Sequence, residues 1–257
     1  MSLANACDSH IHINDAAAVD AYRAVQGQQG TSRVVIVTPR PHVTDNTITM
    51  GAIASLGIAN ARGVAVIRPD VTDAGLRTMD AAGIRGIRFS THQPVGQVVS
   101  IDMIEPLSKR IAPLGWHVQI HMNADQVVEN AALLGRLPSA IVFDHMGRIP
   151  HSDADKHRAF GIIRGLVDRG RTWVKVSGPY LDDPEGGPRF AAAVPLARAW
   201  VAAAPDRCVW GSDWPHPLAR VPKPKDRELI DLLDEWAPDA AIRTKILVDN
   251  PAELYFP

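Results

Sequence analysis

Residues 83–122 read GIRGIRFSTHQPVGQVVSIDMIEPLSKRIAPLGWHVQIHM, and their pattern sets the fold. Gly83–Phe89 is a short run built on Ile84, Ile87 and Phe89. His117–Met122 alternates Val118 and Ile120 with His117, Gln119 and His121. Between the two, Asp102–Leu114 repeats apolar residues at helical spacing. Strand, helix, strand in that order predicts two parallel strands joined by a crossover helix, because a tight turn can join only antiparallel neighbours.

The same rhythm continues in both directions. The spacing predicts strands over Asn5–Ile13, Arg33–Thr38, Gly63–Arg68, Ile141–His145, Thr172–Ser177 and Arg207–Ser212, which with the first two makes eight. Helical patterns fall between them at Ala16–Gln28, Asn46–Gly57, Asp73–Ala82, Ala124–Leu134, Lys156–Asp168 and Arg189–Ala203, with Arg227–Trp236 after the last strand. A tail, Ala240–Tyr255, is expected to pack across one end. Eight such units in 257 residues predict an α/β chain closed into one distorted (β/α)₈ TIM barrel, a single domain over residues 1–257. No GxGxxG follows the first strand, which argues against a dinucleotide-binding sheet. The cluster Pro222–Lys225 reads as a loop rather than a domain boundary.

Composition bounds the partners. Lys and Arg number 27 against 28 Asp and Glu, for a formal charge of −1, so nothing draws the chain to nucleic acid or to an anionic membrane. The opening MSLANACDSHIHI lacks a basic n-region and an apolar h-region, and no run approaches the ~18 apolar residues of a membrane span. Cys7 and Cys208 both lie in strand-like runs and read as buried, reduced thiols. A cytoplasmic protein is expected. Oligomeric state is not legible.

In such a barrel the reactive side chains belong at the C-terminal ends of the strands. The first strand ends in Asp8-Ser9-His10-Ile11-His12, so alternation puts His10 and His12 on one face. The fifth brings His121, the sixth His145 and the eighth Asp213. Each histidine alone reads as a satisfied loop residue. Four with one aspartate at four strand ends read as a site. His10, His12, His121 and Asp213 form an N₃O set able to hold one Zn²⁺ or Mn²⁺, and the alternative is a metal-free cluster of imidazoles. Arg88 ends the fourth strand, where a guanidinium either holds a substrate carboxylate or pairs with a buried acid; Arg148 reads the same way. His42, Arg68, Ser177 and Tyr180 lie at or just past strand ends as candidate pocket residues. His216 reads as a support for the site, and Lys175 as half of a buried ion pair.

Asp8–His12, Thr44-Asp45-Asn46, Gly86–Phe89, Trp116-His117-Val118, Asp144–Arg148, Trp210–Pro217 and Val248–Pro251 together resemble the amidohydrolase superfamily. The resemblance is greatest to the group that contains 2-pyrone-4,6-dicarboxylate lactonase. DHMGR and WGSDWPHP are the specific segments. The resemblance implies a hydrolase opening a small carboxylated lactone, with Asp213 activating water. It implies His10, His12 and His145 around the carbonyl, and Arg88 and Arg148 near a carboxylate. It also implies a metal-free site with a tyrosine where this chain has His121, and basic residues after strands four and seven. Here Ser90–Pro94 and Gly178–Asp182 carry no Arg or Lys, which points away from the pyrone dicarboxylate itself. A bridging Lys or Glu for two metals is replaced by Arg88. Isomerisation of a sugar-acid lactone and metal-dependent decarboxylation are the other chemistries that the superfamily implies.

Overall fold

The structure is a computed structural model that describes residues 3–93, 97–182, 188–220 and 223–257. Eight strands, β1 (Cys7–Ile11), β2 (Arg33–Val37), β3 (Ala61–Ala65), β4 (Ile84–Ser90), β5 (His117–His121), β6 (Ala140–Phe143), β7 (Thr172–Ser177) and β8 (Cys208–Gly211), pair in sequence order. Every ladder is parallel. Helices α1 (Ala18–Gln29), α2 (Thr47–Leu56), α3 (Asp73–Ala81), α4 (Ile104–Ile111), α5 (Ala124–Glu129), α6 (Ala131–Leu134), α7 (Arg158–Val167) and α8 (Val194–Ala203) occupy the crossovers. They turn their apolar faces to the sheet: Ile104, Leu107 and Ile111 of α4 are wholly buried. Beyond β8 come α9 (Asp226–Asp231), α10 (Leu233–Trp236), α11 (Ala240–Thr244) and α12 (Asn250–Tyr255). This is the expected (β/α)₈ barrel.

The barrel closes without a full ladder between β8 and β1. One parallel bridge, Ile11 to Trp214, joins the ends. Backbone bonds run from Asp213 N to His10 O (2.8 Å) and from His12 N to Trp214 O (2.7 Å). The rest of the seam is held by the buried Asp8 carboxylate, which accepts from Ser212 N and Oγ and from the Tyr22 hydroxyl of α1. Burial pushes that carboxyl up to about 6 despite these bonds. Gly211 lets the two strands meet, since a Cβ there would lie 2.6 Å from the His10 Cβ.

The tail packs where expected, across one end of the barrel. Tyr255 is fully buried against Cys7, Val35, Val37 and Val64. Phe256 lies under the guanidiniums of Arg33 and Arg62, 4.7 and 4.6 Å from its ring centre. Asn250 pins this segment to β8 by donating to the Pro205 and Cys208 carbonyls. With the N-terminal ends of the strands plugged, the opposite end is left for chemistry.

Two strand expectations need correction. β3 is Ala61–Ala65, not Gly63–Arg68: past Ala65, the Val66 N–H is taken by the Asn46 side chain instead of a neighbouring strand. β6 stops at Phe143, so His145 sits beyond it, on a left-handed turn. Pro222 of the expected Pro222–Lys225 loop lies outside the described residues.

Candidate active site

The strand ends converge as the sequence predicts. His10 Nε2 lies 3.3 Å from His12 Nε2, and the two lie 3.5 and 3.4 Å from Asp213 Oδ1. All three side chains are buried or nearly so. Each is held from behind. His12 Nδ1 lies 2.8 Å from the Val37 carbonyl, which anchors the ring with its Nε2 toward Asp213. His10 Nδ1 lies between Asp144 Oδ1 (3.3 Å) and Lys175 Nζ (3.2 Å). Asp213 Oδ2 accepts from the Tyr180 hydroxyl at 2.7 Å. That hydroxyl is 3.3 Å from His216 Nδ1, and His216 Nε2 meets Asp226 at 3.0 Å.

His145, Met146, Gly147 and Arg148 all have positive φ (48°, 56°, 73° and 50°). Three of them carry side chains, which such backbone disfavours, and strain of this kind gathers where a side chain must be aimed. The turn aims His145 at His10, with ring centres 4.8 Å apart, and Ser177 Oγ meets its Nδ1 at 3.0 Å. Asp213 also has positive φ, 61°.

Beneath the β5 end, Asp144 joins Arg88 (Nε to Oδ2, 2.9 Å), Lys175 (3.5 Å) and His10. Lys175 also donates to Gln119 Oε1 at 2.8 Å, so it is half of a buried ion pair, as expected. Arg88 reaches His121 Nδ1 at 3.0 Å through Nη2, while Arg148 reaches His121 Nε2 at 3.0 Å and grips Asp182 with two bonds of 2.8 and 2.9 Å.

Charge follows from these contacts. Burial alone would raise Asp213, but the imidazoles of His145, His12 and His10 outweigh it and hold the carboxylate ionised far below the usual range. Burial lowers His145 to about 4 and His10 well below its ordinary value. Burial, followed by Arg88, does the same to His121.

The cluster floors a cavity of about 140 Å³. That is close to the ~150 Å³ engineered cavity that accepts one benzene ring. His12, His121, His145, Asp213, Arg88 and Arg40 are among its walls. Ser177, Tyr180 and Arg148 stand one contact behind the lining. His42 is also outside it, its Nε2 meeting the Asn14 carbonyl at 3.0 Å, and Arg68 donates to the Val98 carbonyl. Sequence reading missed Arg40 and His92 among the lining residues, and gave no role to Asp144. Asp144 sits beside His145 in a quoted motif, and Arg40 stands between two prolines just after β2, a placement that could have flagged it.

A metal fits part of the expected set. Ligands 2.0–2.2 Å from a tetrahedral zinc lie about 3.3–3.5 Å apart, which is the spacing of His10 Nε2, His12 Nε2 and Asp213 Oδ1. His10, Asp144 and His145 form a second such group. His121 is absent from both groups among the described residues; Arg88 Nη2 and Ser90 Oγ lie 3.0 Å from its Nδ1, and Arg148 Nη1 lies 3.0 Å from its Nε2.

Fold and site together define a barrel enzyme with a histidine–aspartate centre at the strand ends. The amidohydrolase family profile matches residues 10–256, and the chain belongs to this family. It is 34% identical over 251 residues to a 2-pyrone-4,6-dicarboxylate hydrolase of Comamonas testosteroni, covering 95% of this chain and 82% of that one. It is 30% identical to a D-galactarolactone isomerase of Agrobacterium fabrum, over 91% and 80%. A solved apo structure from Agrobacterium tumefaciens superposes with a TM-score of 0.89 at 27% identity, covering 98% and 96%.

Proposed function

We propose that this protein is a lactonase that opens a small carboxylated lactone ring. The observation that carries the reading is the convergence of an ionised Asp213 with His12 on the floor of a one-ring cavity walled by Arg88, with His10 packed against both from behind. The relative from Comamonas testosteroni, a hydrolase of a pyrone dicarboxylate, supports it.

Asp213 Oδ1 takes a proton from water as the water oxygen bonds to the lactone carbonyl carbon. With Ser177 donating to His145 Nδ1, His145 carries its hydrogen on Nε2 and offers it to the oxyanion. Collapse breaks the ring C–O bond, and Asp213 returns the proton to the departing oxygen. Tyr180 holds Oδ2 so that Oδ1 faces the water. Arg88 orients the substrate carboxylate. The new carboxylic acid ionises and releases one proton. If the enzyme uses a metal, Zn²⁺ or Mn²⁺, His10, His12 and Asp213 are the residues to hold it, and it would polarise the carbonyl as a Lewis acid.

The test is proton release from a panel of carboxylated lactones, read with a pH indicator. Asp213→Asn should lower kcat by about 10²- to 10⁴-fold with the fold intact. Turnover equal to the unaltered protein would end the assignment. The isomerase relative favours one second reading, in which Asp213 relays a proton within a sugar-acid lactone. There the lactone would be consumed without acid release. The protein's two buried, unbridged thiols, Cys7 and Cys208, support a cytoplasmic location. Among the described residues no helix is long and apolar enough to cross a membrane.

A further inference from the structure

The strand-end cavity adjoins a recess of about 20 Å³ over the ends of β2, β3 and β4. Its walls are Val43 from the loop after β2, Val66 just past β3, and Val98 and Val99 from the loop after β4. Arg88 and Ser90 line the recess and the cavity alike, so the two spaces meet there. The early stop of β3 is what puts Val66 in this place. Its N–H is taken by Asn46 Oδ1 at 2.9 Å, and Asn46 Nδ2 donates to the Val66 carbonyl at 3.0 Å. Val66 and Val99 are buried, 8% and 4% exposed, whereas Val43 is 45% exposed and marks the open side. Val43 has a φ of 55°, which is costly for a β-branched residue and persists only where the surroundings impose it.

The polar groups beside these valines are already engaged. Thr38 Oγ1 lies 2.9 Å from Asn46 Oδ1 and 2.8 Å from Thr49 Oγ1. Ser90 Oγ is 3.0 Å from His121 Nδ1, and Arg40 Nη1 donates to Gln93 Oε1 at 3.1 Å. Arg88 turns Nε to Asp144 and Nη2 to His121, and its remaining donors are those that orient the ring carboxylate. What the recess itself offers a ligand is valine methyl groups. An alkyl group seated there leaves water without disturbing any of these bonds, whereas a hydroxyl or carboxylate would be stripped of water with no ready partner. Since about 10–15 Å³ is enough for one water-sized group, the recess has the size of a methyl.

We propose that the valine recess is an alkyl subsite: the substrate ring carries, besides its carboxylate, a methyl-sized apolar group that seats against Val43, Val66, Val98 and Val99. The subsite deepens the lactonase reading and rests on it for the reaction. It narrows the substrate to a monocarboxylated lactone with a short alkyl branch. Rings whose second substituent is a hydroxyl or another carboxylate are turned away.

The experiment is titration calorimetry of the purified protein with benzoate, 2-methylbenzoate, 3-methylbenzoate, 3-hydroxybenzoate and isophthalate, rings that cannot be hydrolysed. The better methyl isomer should bind about 4-fold more tightly than benzoate, the worth of one buried CH₂ group. The hydroxyl and the second carboxylate should bring no gain. Val99→Thr keeps the shape but adds a hydroxyl, and should bring the better methyl isomer level with benzoate. Val43→Ala, made on the exposed side where folding is not at stake, should reduce the gain to about 2-fold. Methyl isomers that bind no more tightly than benzoate overturn the subsite, as does failure of every ring to bind. So does a methyl gain that survives both substitutions, or a tighter grip on isophthalate than on 3-methylbenzoate. If Val99→Thr does not fold, Val43→Ala decides alone. Binding is read without turnover, so this test and the acid-release test fail separately.

Discussion

Asp144 touches no proposed substrate atom, yet Arg88, Lys175 and His10 all lean on it. Burial would raise its carboxyl; Arg88, His10 and Lys175 reverse that and hold it well below the usual range. Asp144→Asn keeps the shape but strands two buried cations, so urea denaturation at neutral pH should show a loss of about 3–5 kcal/mol. A depressed folded pKa stabilises above the unfolded value of 3.8 and ceases to do so as pH falls through the folded value. The gap between the two proteins should therefore narrow only in strong acid. Lys175 has the opposite profile. Burial lowers it from 10.5 to about 8, so between those values the unfolded chain binds the extra proton and stability rises with pH. The rise attributable to Lys175 is about 3 kcal/mol at most. Denaturation of Lys175→Met at the two ends of this window should show a flatter profile than that of the unaltered protein.

At the scale of the element, β4 and β5 meet inside the barrel because Gly86 has no side chain. A Cβ there would lie 2.4 Å from the His117 ring, which is itself buried. Gly86→Ala should cost about 1–3 kcal/mol by overpacking. In a His117→Ala background that penalty should vanish, so a double-mutant cycle read by thermal denaturation should show strong coupling. Elements also show where sequence patterning ends. The apolar run from Val64 to Ile67 looks like continuous strand, but strand pairing is decided by which group answers each N–H. At Val66 that group is the Asn46 side chain, brought in from the start of α2. Likewise DHMGR marks the site by composition, but its four left-handed residues leave no periodic trace. Periodicity reports faces, and here the useful residue lies where the face ends.

Across the whole molecule, the barrel has a plugged end and an end that carries the candidate site. Tyr255 and its neighbours close the first, while His10, His12, His145 and Asp213 gather at the second. Tyr255→Ala should cost about 3–5 kcal/mol through the cavity it leaves. Turnover per folded molecule should be unchanged, checked by pairing thermal denaturation with kcat. Loss of activity in step with loss of stability only on heating is the expected pattern. A drop in kcat at low temperature would show that the two ends are coupled.

The sequence by itself determined the eight-unit rhythm, the parallel sheet and the tail at one end, and it put His10, His12, His145 and Asp213 at strand ends that the structure brings together. It could do so because alternation and helical spacing are local, and because polar residues at successive strand ends can only converge once such a barrel closes. What the tertiary structure decided was partnership. His121 faces the guanidiniums of Arg88 and Arg148, and Arg148 is bound to Asp182 behind the lining. Arg40, more than 40 residues from Arg88 in the chain, comes to share its cavity. Each of these depends on side chains from distant strands competing for the same few atoms, a contest settled by distance in space that no spacing along the chain encodes.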